Sequence, residues 1–227
     1  MPFGTPQQKP ESVFMNTITP RFSFSRKVPI ATFRTWKYFQ DDRNRYVGRK
    51  PDIDLSNEKT CVYLHIRTIK EVIDAKPEYI VVRFICEGAT NLYSNLSVVF
   101  CGMTGDSIVT DVYDCHLITL PDINQIDVIS NPNWHEKASN FVNRNILINT
   151  NQYSNYFKTE VAGIAHRLAE FDMWFNEELG EGMKEVALHF VKDPYKTTIV
   201  FVNSEFGGKL LNDIDLFDFG QACCPPQ

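Results

Sequence analysis

The sequence predicts an α+β fold: a β-rich body, sheet or sandwich, with one main amphipathic helix near residues 155–179 and an extended N-terminal arm. Three observations carry this expectation. Apolar and polar residues alternate between residues 60 and 130, apolar residues recur at spacings of three and four from Phe157 to Phe175, and the first twenty residues hold Pro2, Pro6, Pro10 and Pro20 without any period.

The arm spans 1–20, and residues 21–227 read as a single globular domain, because 227 residues fit within one hydrophobic core. Within it, 21–50 is a basic, aromatic segment. The β-rich part, 60–130, begins at Cys61, with Val62, Leu64 and Ile66 on one side of a strand and Tyr63, His65 and Arg67 on the other. The runs Tyr79 to Cys86, Leu96 to Cys101 and Ser107 to Leu120 continue the pattern. Asparagine-rich 131–155 reads as a long irregular connection. Ser154 is placed to cap a helix over 154–179, whose face is Phe157, Val161, Ile164, Ala165, Leu168, Phe171 and Phe175. A hairpin follows over 184–203, turning at Asp193-Pro194-Tyr195, and an acidic tail over 212–227. No internal repeat is visible.

Charge is distributed unevenly. Residues 21–50 carry nine cations against Asp41 and Asp42, a local excess of +7 that leaves −12 for the rest of a chain whose net charge is −5. Such asymmetry points to an electrostatic partner. Arg21, Arg26, Lys27, Arg34, Trp36, Lys37, Arg43 and Arg45 are the candidate contacts, since cations hold phosphates or carboxylates and interleaved rings stack. The complementary acidic docking surface is Glu170, Asp172, Glu177, Glu178, Glu181 and Glu185.

Motifs for catalysis are absent. No glycine-rich stretch has the lysine and frame of a phosphate loop, and no Gly-x-Ser-x-Gly occurs. Cys101 and Cys115 with His65 or His116 form the best thiol candidate, and Asp111 and Asp114 the nearest carboxylate pair; a cysteine within a strand is ordinarily buried and inert. Zinc-ligand spacing is lacking: His65, His135, His166 and His189 are scattered, and neighbours Cys115 and His116 would point to opposite faces of a strand. No catalytic residue, metal or cofactor is expected. Without an apolar run of 18 residues or a leader-like N-terminus, no membrane span is expected and a cytoplasmic location, in a host cell or virion, is.

These parts make a non-enzymatic structural protein the leading expectation, self-assembling into an ordered oligomer or lattice through its arm and its complementary basic and acidic surfaces. In architecture and composition, with no motif aligned, the chain is similar to viral coat, matrix or occlusion-body proteins, and that likeness implies the chain itself as partner. The alternatives are a single-stranded nucleic-acid-binding protein of the viral transport kind, and an enzyme using Cys115, His116, Asp111 and Asp114.

Overall fold

The computed structural model describes residues 26–47, 59–87, 95–116, 126–130, 133–150, 162–178, 184–192, 197–203, 216–218 and 221–223. The 1–20 arm, Arg21, Glu181, the turn at 193–196 and most of the acidic tail lie outside them. The strands are β1 (Arg26–Val28), β2 (Cys61–His65), β3 (Tyr79–Glu87), β4 (Asn95–Thr104), β5 (Ser107–Ile108), β6 (Tyr113–Asp114), β7 (Gly163–Arg167), β8 (Glu185–Lys192), β9 (Thr197–Asn203), β10 (Leu216–Asp218) and β11 (Gln221–Cys223). The helices are α1 (Ile30–Val47), α2 (Ile66–Asp74), α3 (Trp134–Thr150) and α4 (Leu168–Glu178). The α+β class and the β-rich body are as expected, and the 184–203 hairpin is β8 and β9.

Two antiparallel sheets organise the core. One runs β1-β10-β9-β8-β2; the other runs β11-β7-β3-β4-β5, with β6 also on β4. Alternation gives the central strands β3 and β8 two buried faces. Ile80, Val82, Phe84 and Cys86 of β3 meet Val186, Leu188 and Phe190 of β8 between the sheets. On the outer face of the second sheet, Val81 and Ile85 pack with Trp134 of α3. On the outer face of the first sheet, Ala187, Val191, Val200 and Val202 are covered by Phe33 and Trp36 of α1. Helix, sheet, sheet and helix therefore lie in four layers. Burial on both faces explains why β3 and β8 read as nearly continuous apolar runs rather than clean alternation.

Helix α1 starts where the Pro29 carbonyl accepts the Phe33 N–H at 3.0 Å. It turns Phe33, Trp36 and Gln40 inward and Arg34, Tyr38 and Phe39 outward, the spacing of one helix face. The basic aromatic segment is thus divided between core and surface.

Three expectations change. Within the helix predicted over 154–179, Gly163–Arg167 is a strand paired with β3, and Leu168–Glu178 is helical. Ile164 and Ala165 fit the helical spacing, yet they are buried as strand residues on opposite faces of the sheet. The connection predicted over 131–155 contains α3, whose Trp134 and Phe141 are buried; tertiary packing overrides the poor helix propensity of asparagine. In place of one main helix, the described residues hold four.

An internal duplication is also present. The order α1–β2–α2–β3–β4 recurs as α3–β7–α4–β8–β9, and the two units exchange strands: β2 pairs with β8, and β7 with β3. In each unit the single strand runs directly into its helix. The Ile66 N–H donates to the Lys184 carbonyl at 3.0 Å, and in the other unit the Leu168 N–H donates to the Glu78 carbonyl at 3.2 Å. Ile69 and Val72 of α2 then occupy the places of Phe171 and Trp174 of α4. The repeat lies in main-chain pairing and burial, which many side chains satisfy, so the letters do not display it.

Candidate functional site

The seam between the sheets gathers the polar chemistry. Tyr113 and Asp114 pair with β4 of one sheet, and two residues later His116 exchanges two main-chain hydrogen bonds of 2.8 Å with Tyr63 of β2 in the other. A second segment runs beside this crossing, held by the Asp114 N–H to the Val128 carbonyl at 2.8 Å and the Ser130 N–H to the Val112 carbonyl at 2.7 Å. That segment delivers Asp127.

Asp127 is anchored at both ends. Its carboxylate accepts the His65 N–H at 3.1 Å through Oδ2, and its own N–H donates to Thr68 Oγ1 at 2.9 Å. The first of these bonds satisfies the N–H of His65 at the start of α2, where His65 is the cap residue with extended backbone and no capping bond from its ring. The ring of His65 is thereby left to the site. It stands 4.4 Å from the His116 ring, centroid to centroid, nearly perpendicular at 77°. His116 Nε2 lies 2.6 Å from Asp127 Oδ1, and His65 Nδ1 lies 3.8 Å from Glu185 Oε1.

One donor atom from each of His65, His116 and Asp127 lies within 4.8 Å of the others. His65 and Asp127 have no side-chain exposure, and His116 is 10% exposed, so the cluster meets solvent at His116. Neither His65 nitrogen has a hydrogen-bond partner among the described residues. Burial pushes the Asp127 carboxyl up to about 6, against the opposing pull of Thr68 and the His65 N–H. Burial also holds His116 below the ordinary imidazole value. His116 Nε2 and Asp127 Oδ1 face each other at 2.6 Å without the alignment of a hydrogen bond.

Two imidazoles and a carboxylate suit divalent transition metals, Zn²⁺, Fe²⁺ or Co²⁺ among them. An ion about 2.0–2.2 Å from each donor needs donor separations of roughly 3–4 Å. To hold an ion the cluster would have to open the 2.6 Å His116–Asp127 contact and draw in His65. Buried polar nitrogens without partners are what an ion would satisfy.

The equivalent place in the other unit carries different residues. By strand register and helix start, Arg167 stands where His65 does, Glu170 where Thr68 does, and Tyr79 where Glu185 does. The donor set belongs to one unit, apart from the shared framework.

The residues singled out from sequence fare differently. Trp36 is 8% exposed beneath α1 and Glu185 is 1% exposed at the start of β8, so neither stands on a docking surface. Arg34 is exposed and Lys37 half-buried. Arg26 and Lys27 lie in β1, Arg43 and Arg45 in α1, and Glu177 and Glu178 in α4, with side chains outside the described residues. Glu170 and Asp172 are half-buried on α4, where Asp172 accepts a bond from Asn176 Nδ2 at 2.8 Å.

The thiol candidate fares poorly. Cys101 is fully buried, and burial, reinforced by Asp127 and Asp114, raises the Cys115 thiol well above its ordinary value. Asp111 is exposed, and Asp114 faces Lys137 at 3.8 Å. The remaining described histidines are in aromatic settings: His135 on Trp134, His166 against Phe171 and Phe201, and His189 against Phe33. His116 was considered for zinc only with its neighbour Cys115, and Asp127 was not singled out. No local spacing signals a set whose members lie 62 residues apart and join only across the seam.

No protein family, curated protein or solved structure matches the chain. The fold and site therefore define its class by themselves: a strand-exchanged, duplicated α+β protein with a His–His–Asp cluster at the sheet seam. Among the described residues, no helix is long and apolar enough to cross a membrane.

Proposed function

We propose that the chain is a metal-binding protein whose function centres on one divalent transition-metal ion held by His65, His116 and Asp127. The observation that carries this reading is the convergence of three donor atoms within 4.8 Å, two of them on fully buried side chains. A buried polar atom is costly without a partner, and an ion supplies one to all three side chains at once. Three protein donors also leave a position for water, whose proton the ion would acidify.

The test is a cobalt titration of chelator-treated protein at neutral pH, with zinc competition. One equivalent should bind with a visible ligand-field spectrum, and His65→Ala, His116→Ala and Asp127→Ala should each lose it. Absence of stoichiometric binding to the wild-type chain would sink the proposal.

A second reading, self-association through α1, is favoured by one observation. Tyr38 and Phe39 are 58% and 40% exposed beside exposed Arg34. Light scattering of nuclease-treated protein across a salt series, with Arg34→Glu and Tyr38→Ser as variants, tests it. Oligomers that both variants dissolve support it. A monomer that retains absorbance at 260 nm favours the nucleic-acid alternative instead.

A further inference from the structure

Glu185 is a buried carboxylate at the first position of a strand, a place where a charged side chain could readily have faced water. Its register partner across the β2–β8 ladder is His65, and its Oε1 points at His65 Nδ1 from 3.8 Å, both side chains being almost wholly enclosed. At that distance the pair is poised to hydrogen-bond and is not yet bonded. Histidines that ligate metals ordinarily donate their second ring N–H to a carboxylate, which fixes the tautomer and strengthens the donor nitrogen.

We infer that Glu185 is the positioning residue of the metal site, accepting the Nδ1 proton of His65 so that Nε2 is turned to the ion. The inference rests on the metal-binding reading and adds to it the atom by which His65 binds and the residue that selects it. In the other unit Tyr79 occupies the place of Glu185 and Arg167 that of His65. Ligand and positioning carboxylate are absent there together. Asp127 is fixed separately, by Thr68 and the His65 N–H, so that substitution of Glu185 leaves two of the three donors in place.

Cobalt and zinc titrations of full-length wild type, Glu185→Gln and Glu185→Asp test the inference, with metal-free circular dichroism as a control on folding. Glu185→Gln should weaken binding roughly 10- to 100-fold with the cobalt spectrum keeping its shape, and Glu185→Asp should recover part of the loss. A Glu185→Gln variant that binds as tightly as wild type overturns the inference and leaves the metal site standing. A wild-type chain that binds neither metal overturns both. Should Glu185→Gln not fold, nitrogen-15 spectra of the zinc-loaded wild type decide the matter. A proton on His65 Nδ1 upholds the assignment and a proton on Nε2 refutes it.

Discussion

Asp127→Asn separates what the cluster does for folding from what it does for a metal. The change is nearly isosteric, and the amide oxygen can still accept the His65 N–H now held at 3.1 Å, while the main-chain bond to Thr68 is untouched. What is lost is a charge. Burial raises the Asp127 carboxyl from 3.8 to about 6, so the folded chain holds a proton that the unfolded chain has already released. Its contribution to stability therefore falls as pH rises from about 4 to about 6 and stays low at neutral pH.

A shift of about two pKa units corresponds to roughly 3 kcal/mol, a ceiling on what the metal-free protein regains at pH 7 when the charge is removed. At 2–4 °C per kcal/mol for a chain of this size, the metal-free Tm rises by up to about 10 °C, with little change at pH 4. Wild type should recover about 2.7 kcal/mol when an ion is added at about 100 times its Kd, and the variant should recover nothing. Thermal melts with chelator and with zinc, at pH 7 and pH 4, read all of these quantities. A metal-free variant less stable than wild type at pH 7 would refute the reasoning, because Asp127 would then be a stabilising helix anchor rather than a ligand held at a cost to the fold.

Two further predictions concern the framework. A Cβ on Gly102 would stand 2.8 Å from two carbons of the Pro77 ring and 2.9 Å from Thr110 Cγ2, so Gly102→Ala should destabilise by about 1–3 kcal/mol in urea denaturation; a neutral result would mean that the Pro77 turn yields freely. His189 is held down to about 4, first by burial and then by Lys37, so its stabilising contribution is complete above pH 6.5 and is lost as pH falls through 6.5 toward 4. The ceiling is about 3 kcal/mol, lessened because the side chain is partly exposed, and His189→Gln should flatten this acid limb. An unchanged limb in the variant would assign the acid sensitivity to other groups.

The sequence by itself determined the central strands and their enclosure. Tyr79 to Cys86 and Glu185 to Val191 are legible because burial on two faces of an antiparallel sheet needs apolar side chains at nearly every position. It also showed a basic, aromatic segment at 21–50, although its letters did not divide Trp36, under α1, from Tyr38, on its surface. The same kind of reasoning misread 154–179, because Ile164 and Ala165 satisfy a helical spacing and the alternation of a short strand equally well. Only pairing with β3 chose between them.

The site belonged to the tertiary structure altogether. His65 closes a strand, His116 bridges two sheets, Asp127 anchors the start of a helix and Glu185 opens a strand of the other unit. Each is locally an ordinary polar residue. Their chemistry arises from the low dielectric and short separations that the strand exchange creates, and neither quantity is a property of any local stretch of chain.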